Sequence, residues 1–346
     1  MQSDNIVYPL VSICTASYNH EKFIKQMLDS VVNQKTNFQF ELLIYDDASS
    51  DNTQSIIKEY ENKYPEIIKP IFQELNQFSL GKRPQMLFNL PRANGKYIIF
   101  IDGDDYWLDE LKLQKQVDFL ENNLEYMACA HNTKVLREDI DVNNDELIVN
   151  NPQKSIFGIE DFTKGEIYFH TASILYRFND EMRTNKNFLN LYRGDWFRVM
   201  VFAQLGPTKY LDEVMSVYRI HNKGIWSLLS KKEQIQKNLK AILDINKIFN
   251  YKYEKNFLIL FARVFVTSEV DNSLENLFEL FKDEEKSDLI KVIAYINSYA
   301  KTKEKYVQER EKHFQELEKY VHEMQALKTW NVLALERRLF PKKDGK

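Results

Sequence analysis

An apolar run at residues 97–101 leads directly into Asp102-Gly103-Asp104-Asp105-Tyr106-Trp107, and this junction constrains the fold more than any other part of the chain. A short, wholly apolar run has the pattern of a strand buried on both faces, as in a parallel sheet covered by helices. Ligands of open α/β sheets sit outside the carboxyl ends of such strands. Asp102 and Asp104, separated by one small residue, can both turn toward that crevice and offer hard oxygen ligands suited to Mg²⁺ or Mn²⁺. The competing reading of the same residues is an acidic turn capping a helix that begins near Asp109.

The surrounding pattern agrees with a covered sheet. From residue 7 to about 131, strand-like runs at 11–14, 40–45, 67–72 and 97–101 alternate with amphipathic helical segments. Ile24, Met27, Leu28, Val31 and Val32 recur at helical spacing, and Ile56, Ile57 and Tyr60 do so after cap residues at 49–53. The polar stretch 137–153 reads as a loop. A strand at 170–176, a helix at 195–205 and a strand at 210–218 follow, the last reaching a polar segment at 219–227. From about 230 the chain lacks proline until Pro341 and is rich in Lys, Glu, Leu and Ile, which predicts successive helices.

The last of these helices, about 287–327, carries Val307, Phe314 and Val321 seven apart, with Leu317 and Met324 between them. Arg310 interrupts the seam, so the spacing favours a partner helix in the same chain over a dimeric coiled coil. The end, 330–343, mixes Trp330, Leu333, Leu335, Leu339 and Phe340 with Arg337, Arg338, Lys342 and Lys343, which suits an anionic membrane surface or a docking helix.

Composition narrows the class. With 346 residues and 44% apolar content, the chain can build one large α/β domain plus an appendage. Its 47 basic and 51 acidic residues are interspersed and sum to −4, so no basic field marks it for nucleic acid. The longest apolar run, 257–266, is broken by Arg263 and falls short of the roughly 20 residues of a membrane span, so it reads as a core helix. Cys14 and Cys129 are the only cysteines, each inside a strand-like run, and the N-terminus lacks a signal pattern; a reducing cytoplasm is the expected compartment.

Three segments in order, Val11-Ser12-Ile13-Cys14-Thr15-Ala16-Ser17-Tyr18-Asn19, Leu43-Ile44-Tyr45-Asp46-Asp47-Ala48-Ser49-Ser50-Asp51-Asn52-Thr53 and Asp102-Gly103-Asp104-Asp105-Tyr106-Trp107, resemble those of family 2 glycosyltransferases of the GT-A fold. The resemblance covers about residues 7–226. It implies an α/β domain with a mostly parallel sheet flanked by helices over 1–228, with a nucleotide-binding half (about 1–131) and an acceptor half (about 132–228). A helical C-terminal region, 229–346, would follow, ending in the basic amphipathic stretch.

The resemblance also implies roles by position. Asp47 accepts a hydrogen bond from the nucleotide base, and Ala16, Tyr18 and Asn19 lie against the same base; Ala16 stands where some members carry a hydroxyl. A carboxylate acceptor suits an imide N–H such as that of uracil. Asp46 is expected to hydrogen-bond its own turn. Asp104 ligates the divalent ion that bridges the donor diphosphate and Asp102 lies near the ribose or the metal shell, while Asp105 is expected to support the loop or cap the next helix rather than touch the ion. Asp195 is the catalytic base, although Gly194 replaces the glutamate that usually precedes it; the alternative for Asp195 is a helix N-cap. Residues 217–227 resemble the closing loop, in which His221 completes the metal shell or contacts the diphosphate and Arg219 or Lys223 neutralises phosphate charge. Lys82 and Arg83 are further donor-phosphate candidates. His170, Thr171 and Ser173 either border the acceptor cleft or belong to the core.

The implied activity is inverting and Mn²⁺- or Mg²⁺-dependent. It moves a hexose-type sugar from a nucleotide diphosphate donor, a UDP-sugar, to a hydroxyl of a glycan or lipid-linked acceptor in bacterial surface polysaccharide synthesis. The basic C-terminus would touch the cytoplasmic face of the inner membrane peripherally. Two alternatives stay open: a catalytically inactive sugar-nucleotide-binding scaffold, and a metal-dependent nucleotidyltransferase, against which the missing Gly-x-x-x-x-Gly-Lys-Ser/Thr pattern counts. Sugar, linkage, acceptor and oligomeric state depend on pocket and surface shape, which sequence patterns do not encode.

Overall fold

The computed structural model describes residues 9–82, 85–138, 146–150, 152–179, 183, 194–267 and 286–301, with the side chains of 194, 195, 286–288, 300 and 301 outside that description. The chain divides into two compact units, Met1–Leu228 and Leu229–Lys346.

In the first unit the strands are β1 (Val11–Ser17), β2 (Phe40–Asp46), β3 (Ile68–Phe72), β4 (Tyr97–Asp102), β5 (Tyr106–Trp107), β6 (Ala128–Arg137), β7 (Ile156–Phe157), β8 (Leu175–Arg177) and β9 (Thr208–Ile220). They form one sheet in the order β3-β2-β1-β4-β8-β6-β9-β5, with β7 on β9. The long pairings, β1 with β2 and β4, β2 with β3, and β6 with β9, are parallel; the antiparallel ones span only two or three residues. Among the described residues, the unit's α-helices are α1 (Ile24–Val32), α2 (Thr53–Lys63), α3 (Lys112–Asn122), α4 (Ile159–Thr163) and α5 (Gly194–Ala203). This is the mixed α/β architecture that the sequence pattern predicts, and it agrees with the GT-A-type fold that the family resemblance implies.

The core follows from that pattern. Ile24, Met27, Leu28 and Val31 bury the apolar stripe of α1 against Ile13, Ile99, Ile101 and Leu113. Burying each such side chain contributes about 1.5–3 kcal/mol, so this face dominates the local energetics. Cys14 and Cys129 are free thiols inside the core, and burial pushes the thiol of Cys129 up to about 12 and that of Cys14 up as well. Neither is poised as a nucleophile.

The register matters most for function. Ala16 pairs with Tyr45 on one side and Asp102 on the other, and Ser17 pairs with Asp46. Three motifs distant in sequence therefore end level at one edge of the sheet. Backbone bonds carry the alignment past the strands: Asp47 N–H donates to the Ser17 carbonyl (2.9 Å) and Gly103 N–H to the Ala16 carbonyl (3.1 Å).

Two segments differ from the sequence reading. Residues 170–176, expected as a strand, begin with a 3₁₀ turn, Thr171–Ser173, and only Leu175–Arg177 is extended. The cause is local polar chemistry: the His170 ring accepts from Ala172 N–H (3.3 Å), and the Ser173 hydroxyl donates to the His170 carbonyl (2.7 Å). Within the polar stretch 137–153, Leu147 bridges to Lys134 and extends the β6 pairing.

The second unit contains α6 (Lys231–Ile248), α7 (Glu254–Thr267) and α8 (Lys286–Lys301). Ser230 and Glu233 form a capping box at the start of α6, satisfying two orphan N–H groups. The apolar run of α7 buries Phe257, Leu258, Leu260, Phe261, Phe265 and Val266, as expected of a core helix. No helix among the described residues is long and apolar enough to cross a membrane. The seam residues 307–324 and the basic end 330–343 lie outside the described residues.

Candidate active site

The loop after β1 and the loop after β2 are stitched into one wall. Asn19 adopts a left-handed backbone (φ 54), its N–H donates to the Ser49 hydroxyl (2.9 Å), and its side-chain oxygen accepts from Ser50 N–H (2.8 Å). Asparagine tolerates this conformation better than most residues. His20 N–H donates to the Thr53 hydroxyl (2.8 Å). Asp46 accepts from Ser49 N–H (3.0 Å) and Gln54 (2.6 Å), so it holds its own turn. Tyr18 stands 45% exposed at the rim and Ala16 is half-buried beneath it.

Asp47 is 3% exposed. Its carboxylate accepts from the backbone N–H groups of Gln77 (2.6 Å) and Phe78 (2.9 Å), one on each oxygen, and from the Tyr45 hydroxyl (3.3 Å). The segment after β3 is thereby tied to the β2 loop, while further lone pairs remain on the carboxylate. Lys82 is exposed and donates to Gln77 (2.6 Å); Arg83 lies outside the described residues.

The acids after β4 separate into three roles. Asp102 accepts from the Gln85 amide (2.8 Å). Asp105, 2% exposed, accepts from Arg219 N–H (2.9 Å) and lies 3.6 Å from His170 Nε2. Burial, reinforced by the charges of Asp104 and Asp102, pushes its carboxyl well above the usual range. It supports the loop. Asp104 faces a pair of imidazoles, with Oδ2 3.0 Å from His221 Nε2 and 3.9 Å from His20 Nε2. Burial alone would raise its pKa, but the His221 hydrogen bond and the two histidines outweigh burial and hold the carboxyl below the ordinary value. Burial, partly opposed by Asp104, lowers the pKa of His20 and favours its neutral ring.

Arg219 departs from its expected role. Its guanidinium donates to the Asp104 carbonyl (2.8 Å), Glu138 (2.6 Å) and Gln26 (2.6 Å), lies over the Phe23 and Tyr106 rings, and is 8% exposed. The charge is committed to protein acceptors, which makes Arg219 a clamp on the acid loop rather than a cation presented to phosphate. Lys223 is exposed in the turn after His221. His170, Thr171 and Ser173 are buried and act in the core.

Asp195 is the second residue of α5, and its side chain lies outside the described residues. Sequence reasoning missed His20, Gln85, Gln26 and Glu138. Of these only His20, directly after the Ser-Tyr-Asn loop, carried a local signal.

The donor set suits a divalent cation. One carboxylate with imidazole beside it matches Mn²⁺ and tolerates Mg²⁺. Among the described residues no group of three or more acid, histidine or cysteine side chains is placed to hold a metal ion. An ion of this kind is commonly held by one or two carboxylates with substrate phosphates completing the shell, so an open half-site fits.

Gly103 permits the arrangement. A Cβ built there would lie 2.6 Å from His20 Nδ1, 3.0 Å from the Ser17 hydroxyl and 3.2 Å from Ile24 Cδ1. Gly103→Ala is expected to push the His20 ring off Asp104 and to cost about 1–3 kcal/mol by overpacking. At about 2–4 °C per kcal/mol for a domain of this size, thermal melting would register a drop of several degrees. An unchanged melting temperature would show that the ring has room to move.

Comparison with known proteins decides the family. The family model "Glycosyl transferase family 2" matches residues 12–183, which carry β1 through the acid loop and on past β8. The chain belongs to glycosyl transferase family 2. An uncharacterised protein of Mycobacterium tuberculosis is 33% identical over 232 residues, covering 62% of this chain and 60% of that protein. The chain thus spans less than two thirds of the length of that relative. The UDP-Glc:alpha-D-GlcNAc-diphosphoundecaprenol beta-1,3-glucosyltransferase WfgD of Escherichia coli is 35% identical over 119 residues, 34% of this chain and 44% of the enzyme. Among solved structures, the mannosyltransferase PcManGT of Pyrobaculum calidifontis, in complex with GDP-Man and Mn²⁺, aligns with TM-score 0.51 at 14% identity over 98% of this chain and 89% of its own. At that identity the likeness concerns the fold alone.

Proposed function

We propose that this family 2 domain is an inverting, metal-dependent glycosyltransferase that moves a hexose-type sugar from a UDP-sugar to a hydroxyl of a glycan or lipid-linked acceptor. The observation that supports it most is the convergence of Asp104, His221 and the Asp47 wall at one edge of the sheet, where the β1, β2 and β4 ends stand in register.

The base lies in the wall formed by Ala16, Tyr18 and Asn19, where the remaining lone pairs of Asp47 accept an imide N–H. Asp102, steadied by Gln85, takes the ribose side. Asp104 and His221 would hold the divalent ion, which would supply neutralisation of the charge that grows on the departing diphosphate. Lys223, with Lys82 and Arg83, supplies further positive charge to the phosphates. Arg219 and Asp105 keep the acid loop from shifting.

Asp195 accepts the proton of the acceptor hydroxyl as that oxygen attacks the anomeric carbon. The new carbon–oxygen bond forms as the carbon–phosphate-oxygen bond breaks, the electron pair leaving on the nucleoside diphosphate. One displacement inverts the anomeric centre, so no enzyme nucleophile is needed. The name of WfgD, a UDP-glucose enzyme acting on a diphosphoundecaprenol-linked sugar, favours a similar donor and acceptor class here. We place the reaction in bacterial surface polysaccharide synthesis at the cytoplasmic face of the membrane, with the basic C-terminal end in peripheral contact.

A screen of nucleotide-sugars with Mn²⁺ or Mg²⁺, reading slow donor hydrolysis in the absence of acceptor, tests this directly. Cation-dependent release of UDP from one UDP-sugar is expected. If no nucleotide-sugar is either bound or hydrolysed with any divalent cation, the proposal fails; binding with no turnover on any acceptor would instead favour the inactive scaffold.

A further inference from the structure

The geometry points to Gln85 as the residue that, together with Asp102, reads the two hydroxyls of the donor's ribose: Asp102 accepts from one and Gln85 from the other. This inference rests on the glycosyltransferase reading above and names a specificity element within it.

The placement starts from strand register. Ala16 of the base wall pairs with Asp102 on the neighbouring strand, and adjacent strands lie about 4.8 Å apart. A base seated on the Ala16 wall therefore brings its own ribose beside Asp102. There the Gln85 amide nitrogen Nε2 donates to Asp102 Oδ1 (2.8 Å), and both side chains are half-buried rather than sealed in the core. An amide has one donor end and one acceptor end, so the bond that engages Nε2 also fixes which way the amide stands. Its carbonyl oxygen Oε1 has no hydrogen-bond partner among the described residues. A carboxylate and a carbonyl joined by one hydrogen bond offer two acceptors to two neighbouring donors, which is the pattern of a ribose cis-diol.

The turn that carries Gln85 is built into the sheet. Residues 85–89 form a single π-helical turn, a distortion that recurs at functional sites. Phe88 stacks on Tyr45 with ring centroids 4.6 Å apart, the Asn89 amide donates to the Thr15 carbonyl (2.8 Å), and buried Met86 accepts from Arg198 Nη1 at its sulfur (3.7 Å). Three side chains thus anchor the turn, while Gln85 at its start reaches the acid loop. The Tyr45 ring that Phe88 backs also donates its hydroxyl to Asp47 (3.3 Å). One turn braces both the carboxylate proposed for the base and the carboxylate proposed for the ribose. A site built to meet a substrate hydroxyl discriminates against the analogue that lacks it, because the protein group is then left unpaired.

The test uses the full chain and calorimetry in Mn²⁺ with three probes: UDP, 2′-deoxy-UDP and 3′-deoxy-UDP. The parent is expected to bind each deoxy analogue about tenfold more weakly than UDP, the scale of one hydrogen bond to a polar or charged partner. In Q85A and in Q85M, which keeps the length of the side chain, the preference for one hydroxyl is expected to fall to within about twofold, and the preference for the other to narrow as Asp102 loses its partner. D102A should erase the second preference. A merely structural role would weaken all three nucleotides together and leave both ratios at the parent value; that result overturns the inference. So does a parent that binds UDP and both deoxy analogues equally, in which case the glycosyltransferase reading stands. If the parent shows no Mn²⁺-dependent UDP binding, that reading and this inference fall together. A melting profile that matches the parent excludes misfolding of Q85A; should Q85A melt early, Q85M decides alone, and parent-sized ratios in it overturn the role of Gln85.

Discussion

Asp104→Ala is expected to abolish cation-dependent UDP binding and to lower turnover by about a thousandfold. The side chain is only 18% exposed, yet its oxygen is the one that both His221 and His20 approach. Removing it leaves two imidazoles and no anionic ligand, which a hard divalent ion tolerates poorly. Charge neutralisation of a departing diphosphate by a bound ion is worth several kcal/mol, and about 4 kcal/mol corresponds to the stated factor. The fold should survive, because Asp105 and Arg219, not Asp104's carboxylate, tie the loop to β9. Calorimetry with UDP, with and without Mn²⁺, reads the first effect, and donor hydrolysis reads the second. Metal-dependent binding at the parent level in this variant would remove Asp104 from the ion's shell.

Asp195→Asn separates binding from chemistry. The substitution keeps shape but removes the group proposed to take the acceptor proton, and general base catalysis contributes about 10²–10⁴-fold. Turnover should fall by that range while Mn²⁺-dependent UDP binding stays within a few-fold of the parent. The acidic limb of the pH–rate profile, which reports ionisation of the base, should vanish with it. Full activity in Asp195→Asn would eliminate it as the base; loss of both binding and turnover would assign the residue to structure. The position at the first turn of α5 also suits a helix cap, so a melting curve belongs beside the kinetics.

Much of this architecture is legible in the chain itself. The run from Tyr97 to Ile101, the helical spacing of Ile24, Met27, Leu28 and Val31, and the S-x-x-E box at Ser230 each encode an element through residues a few positions apart. Asp46, too, is readable, since its partners Ser49 and Gln54 are near neighbours in sequence. The strand expected at 170–176 was misread for a related reason. An alternation of apolar and polar residues describes one face of a strand, but it does not register that His170 and Ser173 satisfy backbone groups in a 3₁₀ turn.

Long polar side chains were less legible. Arg219 has the same chemistry whether it meets a phosphate or a carboxylate, and its partners Glu138 and Gln26 lie 81 and 193 positions away. His20 follows the Ser-Tyr-Asn loop in sequence, but its approach to Gly103 and Asp104, more than 80 positions away, exists only in the fold.

Sequence alone determined the sheet, its covering helices and the acids at the strand ends, because periodicity and turn chemistry act over a few residues and survive in one dimension; the family followed from the resemblance of three ordered motifs. The tertiary structure decided which charges are spent on the scaffold and which face the crevice. That outcome depends on which strand ends stand level, and only hydrogen-bonded register, Ala16 against Asp102 and Ser17 against Asp46, fixes it.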